Sequence, residues 1–386
     1  MKNFIFQNPT KILFGDGMLD QLPKELAPYG CRTLFVYGGG SIRKTGLYDR
    51  VRSLLKDAAC EVFELAGVMP NPRTEKVYEG IEICRRESID FILAVGGGSV
   101  IDCSKAIAAG TLCGGDFWQD LYIEGKSIDC ALPLGVILTM PATGSEMNAG
   151  TVISNWDNNQ KLGYGSPVLH PAFSILEPRL TMTLPRDQVI YGAVDMMSHV
   201  FEQYFSPPDD DSLTDDLAEA LMRNIRVNLD RSLVDLNDYE ARSNLMWDAT
   251  MALNSLLRLG KEEDWQSHQI EHALSAWYDI PHGAGLAIIH PNLLYYMRKQ
   301  AQHKLARYAV RVWEIHPQGK TEEELALAGL EAMRNYFNSI GAPSTLSDVG
   351  IPADAIEQLA DTTKIIRAGY KPLERDDVLE ILKMSV

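Results

Sequence analysis

Short apolar runs with no polar alternation recur through the first part of the chain, at 33–37, 60–65, 90–95, 133–138, 151–154 and 173–176. A strand covered on both faces reads this way, because neither side of it meets water. Helical stretches separate the runs, and that alternation is the pattern of a parallel α/β sheet. Near residue 180 the pattern changes. After Pro185 the apolar positions keep a helical period to the C-terminus, punctuated by proline, glycine and aspartate at 207–211, 317–319, 341–343 and 350–352. The expectation is an α/β domain over 1–180 and an all-α domain over 181–386. The stripes at 222–229 and 326–337 read as core-facing helix, and no internal repeat is present.

Glycines stand where three of the runs end or soon after. The run at 90–95 leads into Gly96, Gly97, Gly98 and Ser99, then a helix. Ser99 and Asp102 have capping-box spacing, which predicts a helix start at Ser99. Backbone amides at such a start, with no side chain in the way, suit a pyrophosphate. A tight turn without a ligand would read the same. The run at 33–37 ends in Gly38, Gly39, Gly40 and Ser41, with a helix from about Leu47. An acid at this point would take a ribose 2′-hydroxyl. None stands there, the next being Asp49, while Arg43 and Lys44 offer donors to a 2′-phosphate. That loop favours NADP(H). After 133–138 come Thr139 and Thr143, with Glu146 at capping-box distance from Thr143.

The chemistry of the second half lies in histidines and one aspartate. Asp195 and His199 are four apart in a helix-like stretch, so their Cβ atoms sit roughly 5–6 Å apart on one face. An aspartate among apolar neighbours needs a cation or good donors. His268 and His272 share a second helical stretch over 264–278, and His282 follows the break at Pro281. One carboxylate and imidazoles suit zinc or ferrous iron better than magnesium or calcium. Spacing alone does not choose between His268 and His272.

Bulk properties narrow the partners. The 386 residues carry a formal net charge of −16 and show no basic block, which argues against nucleic acid. No apolar run approaches a membrane span and no charged-then-apolar leader opens the chain, so a cytoplasmic protein is expected. Anionic ligands must be held by local amides, Arg43 and Lys44 against that overall charge. All six cysteines lie in the first 130 residues without a C-x-x-C pair, and read as small buried residues.

Taken together, these motifs resemble the group III, iron-activated alcohol dehydrogenases, most of all their NADPH-dependent aldehyde reductase and butanol dehydrogenase branch. The resemblance spans the chain, through Phe14-Gly15, Gly38–Ser41, Gly96–Asp102, Thr139–Glu146, the segment from Gly192 to His199, and His268 to His282. It implies a Rossmann-like, dehydroquinate synthase-like α/β domain followed by the helical one, with the active site between them. It implies Asp195, His199, His268 and His282 as ligands of Fe2+ or Zn2+, with His272 beside them in a proton path. It places the pyrophosphate on Gly97, Gly98 and Ser99, Thr139 and Thr143 beside the dinucleotide, and Lys161 at the nicotinamide ribose. Gly39, Ser41 and Lys44 would take the 2′-phosphate. Reversible hydride transfer between NADPH and a small aldehyde such as butanal is the implied reaction, in a homodimer to which the first thirteen residues contribute a strand contact. One departure is Glu177 in Leu176-Glu177-Pro178, where relatives carry aspartate. Polyol oxidation and sugar-phosphate lyase chemistry on the same plan are the alternatives; few Lys or Arg near the ligands speak against the second.

Overall fold

The computed structural model describes all 386 residues. Its strands are β1 (Lys11–Phe14), β2 (Arg32–Tyr37), β3 (Glu61–Leu65), β4 (Phe91–Gly97), β5 (Leu134–Met140), β6 (Gly150–Asn155), β7 (Gln160–Gly165) and β8 (Phe173–Leu176). Six form one parallel sheet in the order β1-β8-β5-β4-β2-β3. The run at 151–154 is not part of it. It forms β6, which pairs antiparallel with β7 in a separate hairpin. A polar turn reverses the chain there, with Asn159 at φ 50° and the Asp157 N–H donating to Asn155 Oδ1 at 3.0 Å. The short β1, with only Ile12-Leu13-Phe14 apolar, and the polar β7 lie outside the apolar runs noted in the sequence.

The helices are α1 (Leu22–Leu26), α2 (Ser41–Lys44), α3 (Leu47–Asp57), α4 (Thr74–Glu87), α5 (Gly98–Leu112), α6 (Arg186–Tyr204) and α7 (Leu213–Val234). They continue with α8 (Tyr239–Ala252), α9 (Gln266–Tyr278), α10 (His282–Tyr296), α11 (Gln302–Arg311), α12 (Glu322–Ile340), α13 (Ile356–Thr362) and α14 (Arg375–Lys383). No strand follows β8. No helix is long and apolar enough to cross a membrane.

The chain packs as two units, Gln7–Leu184, and Met1–Phe6 with Pro185–Val386. The first residues belong to the helical unit, contrary to the expected division: the Lys2 N–H donates to the Gly260 carbonyl at 3.1 Å, and Lys2 pairs with Glu262. In the α/β unit Phe35, Phe91, Leu93, Ile137 and Phe173 from the sheet bury against Val51, Leu54 and Leu55 of α3. The Phe91 and Phe173 rings stack at 5.8 Å. In the helical unit Ile270 and Leu274 of α9 join Ile288 and Leu293 of α10 in a core closed by Leu359, Leu379 and Leu382. Burial of one such side chain is worth about 1.5–3 kcal/mol, so these clusters fix α9 and α10 as rigid supports.

The cysteines are all free. Only Cys84 and Cys103 are buried, while Cys31 and Cys130 are exposed, so the reading of all six as core residues is corrected.

Candidate metal centre and dinucleotide loops

Three helices of the helical unit converge on Asp195. It projects from α6, and three imidazole Nε2 atoms approach its Oδ1: His199 at 3.5 Å, His282 at 3.6 Å and His268 at 3.9 Å. Ligands held at roughly 2.1 Å in a tetrahedron would stand roughly 3.4 Å apart. Asp195 and His199 share a face of α6, as their spacing predicts. His268 comes from α9 and His282 is the first residue of α10. A close backbone approach makes the third placement possible: a Cβ on Gly283 would lie 2.1 Å from the Tyr191 carbonyl oxygen of α6. Tyr191 is one turn before Asp195, so Gly283 lets the start of α10 press His282 toward the carboxylate.

Asp195 Oδ1 and His268 Nε2 are buried with no hydrogen-bond partner. Leaving such atoms unsatisfied costs about 1–3 kcal/mol each, and a shared cation removes that cost. Asp195, His268 and His282 each offer an atom within 4.8 Å of the others'. His272 is absent from that set and instead groups with Glu271 and His282. Burial, and then the neighbouring His199 and His282, push the His268 imidazole well below its usual range. It is therefore neutral at pH 7, the form that ligates a metal.

Two glutamates that sequence reasoning missed stand behind the histidines. Glu202 Oε1 lies 3.0 Å from His268 Nδ1 and accepts from the His268 backbone N–H at 3.1 Å. Glu271 Oε2 contacts His282 Nδ1, and Ser275 Oγ donates to Glu271 Oε1. Helical spacing could have found both: Glu202 is seven after Asp195 on α6, and Glu271 three after His268 on α9.

In the α/β unit the candidate loops follow β2, β4 and β5, neighbours in the sheet. Ligands in such sheets bind outside the carboxyl ends of the strands. The structure corrects both capping boxes. Helix α5 starts at Gly98 with Gly97 as N-cap and no side-chain cap. Asp102 is turned to other partners: its carboxylate accepts from Ser145 Oγ at 2.6 Å and from the Val152 N–H at 2.8 Å. Asp102, expected among the cofactor contacts as the last residue of the Gly96–Asp102 motif, thus also braces the loop against β6. Thr143 and Glu146 likewise form no box, because Gly144, at φ 63°, caps a short 3-10 turn over Ser145–Met147. Thr143 Oγ1 accepts from the Ser145 N–H at 3.2 Å instead. The thread of backbone at Gly98 is tight: a Cβ there would lie 2.4 Å from Thr143 Cγ2.

Gly96, Gly97, Gly98 and Ser99 thus stand at the end of β4 beside Thr143. Thr139 and Ser41 line a cleft of about 500 Å3 together with Thr45, Leu47, Glu177 and Leu180. Glu177 Oε2 accepts from the Leu19 N–H at 3.1 Å, which is the use this chain makes of its longer acid. A Cβ on Gly39 or Gly40 would meet nothing within 4 Å, whereas on Gly38 it would meet the Val68 carbonyl at 3.2 Å. Ser41 and Lys44 are exposed on α2. Lys161 lies on β7, paired with Ser154 of β6 and buried.

The end of β2 holds a carboxylate after all, supplied by β3. Glu64 accepts from the Tyr37 and Tyr48 hydroxyls, both at 2.8 Å. Arg43 donates to the Tyr37 hydroxyl at 2.5 Å, lies 3.8 Å over the Tyr48 ring and comes within 3.6 Å of Glu64. Arg43 is thus an ordered cation with half its side chain exposed, not a loose helix-start residue.

Comparison with known proteins agrees with this layout. Residues 9–178 match the family model described as iron-containing alcohol dehydrogenase, and residues 189–386 match that of its C-terminal domain. Over the whole length of both chains the sequence is 47% identical to a probable NADH-dependent butanol dehydrogenase 1 of Bacillus subtilis. It is 40% identical to the NADPH-dependent aldehyde reductase YqhD of Escherichia coli, over 93% of this chain and 92% of that one. The crystal structure of NADH-dependent butanol dehydrogenase A from Thermotoga maritima superimposes with a TM-score of 0.96 at 42% identity, covering 100% of this chain and 99% of that one.

Proposed function

Since this chain belongs to the iron-containing alcohol dehydrogenase family, we propose that it interconverts NADPH and a small aliphatic aldehyde such as butanal with NADP+ and the alcohol, using one divalent metal. The observation that carries this reading is Asp195 Oδ1, buried without a hydrogen bond and approached by three imidazole Nε2 atoms. That donor set fits Fe2+ or Zn2+. When bound, the metal supplies Lewis acidity toward the carbonyl oxygen and the reduced nicotinamide supplies the hydride.

The chain's own residues do the rest. Asp195, His199, His268 and His282 would hold the cation, the first three buried and His282 on the side partly open to solvent. The amides of Gly97, Gly98 and Ser99 face the pyrophosphate, flanked by Thr139 and Thr143, and Lys161 serves the nicotinamide ribose. His272 Nδ1 or Nε2 holds the proton that the product oxygen gains on reduction, its ring centroid being 5.8 Å from that of His282. For the cofactor form, the loop Gly38–Ser41 has no acid, and Gly39 and Gly40 leave room. The Glu64 oxygens are taken by two tyrosines, and Arg43 is ordered nearby.

The names of relatives favour a second reading. Those 43–47% identical are called NADH-dependent, whereas YqhD is called NADPH-dependent. Cofactor oxidation with butanal decides, using NADPH and NADH side by side on protein stripped by chelator and reloaded with Fe2+ or Zn2+. Metal-dependent turnover with a lower KM for NADPH is expected. Preference for NADH would reverse the cofactor assignment, and no turnover under either metal would remove the dehydrogenase reading.

A further inference from the structure

Asp195, His268 and His282 account for the front of the metal centre, but two buried carboxylates behind it take no part in the chemistry described so far. We propose that Glu202 and Glu271 are positioning residues that commit His268 and His282 to binding metal through Nε2 and raise the affinity of the centre for a dication. The inference rests on the metal reading above.

Each glutamate occupies the nitrogen that faces away from Asp195. Glu202 Oε1 is 3.0 Å from His268 Nδ1, while His268 Nε2 is 3.9 Å from Asp195 Oδ1. Glu271 Oε2 contacts His282 Nδ1, while His282 Nε2 is 3.6 Å from Asp195 Oδ1. A neutral imidazole carries one proton. A carboxylate at Nδ1 accepts that proton's hydrogen bond and leaves the Nε2 lone pair pointing at Asp195. The orientation is doubly set for His268, whose backbone N–H also donates to Glu202 Oε1 at 3.1 Å. For His282 the glutamate is itself held by Ser275 Oγ. Both glutamates are buried, with 4% and 0% of their surface exposed, so the hydrogen bonds they make to the rings are shielded from competing water. The two pairs are built from different helices, α6 with α9 and α9 with α10, and so can be tested separately.

The test uses Glu202→Gln and Glu271→Gln, which keep a carbonyl acceptor but exchange the carboxyl group for an amide. Metal affinity is read by competition with a chromophoric chelator, beside the melting temperature of the chelator-stripped protein. Each variant should bind Zn2+ about 10- to 100-fold more weakly than the parent. Asp248→Asn, at a buried acid of α8 that pairs with Asn224 of α7 and with none of the four ligands, should bind as the parent does. Variants that lower the melting temperature of stripped protein yet bind Zn2+ with parental affinity would reduce both glutamates to structural residues and overturn the proposal. With Co2+ in place, the visible bands of saturated Glu271→Gln should match the parent. A changed band pattern would make Glu271 a ligand and sink its role here. The parent protein gives a check that needs no variant: 15N-histidine spectra of the Zn2+ form should show Nδ1 protonated and Nε2 bound for both rings. Nδ1 coordination would also overturn the proposal. Failure of the parent to bind any divalent ion would instead fault the metal reading itself.

Discussion

Ser145 donates to Asp102 Oδ1 across 2.6 Å, and the same hydroxyl accepts from the buried Lys105 ammonium at 2.9 Å. One turn of α5 thus grips the segment that follows β5. Lys105 also donates to the carbonyls of Asn148 and Gly150, each at 2.8 Å. Burial pulls its pKa down to about 8, and Asp102 acts against that pull.

Removing Asp102 should therefore loosen the loop that carries Thr143. Asp102→Ala loses two charge-assisted hydrogen bonds and a counter-charge for Lys105, for an expected loss of about 2–4 kcal/mol in stability. Urea titration checks the stability, and KM for the dinucleotide should rise by more than KM for the aldehyde.

Stripping the metal should abolish turnover, by about a thousandfold or more given the role asked of a Lewis acid. Dialysis against chelator followed by assay, with recovery on adding Fe2+ or Zn2+, measures it. In Asp195→Ala the same additions should recover nothing, and elemental analysis should find no bound ion.

Arg43→Gln addresses the cofactor form. An ordered guanidinium lost from a phosphate costs about 10- to 100-fold in binding. KM for NADPH should rise by that factor, with KM for NADH within about twofold of the parent. Equal effects on both cofactors would place Arg43 elsewhere than at the 2′-phosphate.

Asp248 offers a prediction about pH. Burial raises its pKa to about 7, and Asn224 Nδ2, donating at 2.8 Å, opposes that shift. The folded protein thus holds this proton more tightly than the unfolded chain, whose aspartate titrates near 3.9. Its contribution is fully present below about pH 4 and is lost as pH rises through about 7. Asp248→Asn should be more stable than the parent by about 2–4 kcal/mol at pH 8 and nearly equal to it at pH 4. Denaturation at both pH values checks the sign, and a gain of the same size at pH 4 would refute it.

Local spacing carried much of this molecule. Asp195 and His199 could be paired from their spacing because both lie on one face of one helix. His282 could be suspected, but its place depends on Gly283 meeting Tyr191, a contact between α10 and α6 that no local pattern encodes. The choice of His268 over His272 came from family resemblance, not spacing. In the structure it follows from position along α9, not from its rotation: the two share a face, but His268 Nε2 lies 3.9 Å from Asp195 Oδ1 while His272, one turn on, groups with Glu271 and His282. Glu64 escaped notice because it reaches the end of β2 from the adjacent strand, through the register Phe35 to Glu64. The two capping boxes failed for a shared reason. Glycine took the cap position in each, freeing Asp102 for tertiary partners and leaving Thr143 Oγ1 to the Ser145 N–H.

Gly98 and Thr143 share a single small volume. A methyl group on the first would fall 2.4–3.0 Å from three side-chain atoms of the second, its Cβ included. Position 98 cannot gain even a methyl while Thr143 keeps its γ atoms, and with alanine at 143 the remaining Cβ, at 3.0 Å, would still have to give way slightly. The two therefore behave as one site under substitution: among descendants of this chain, alanine at 98 should arrive only with a smaller residue, or a displaced backbone, at 143.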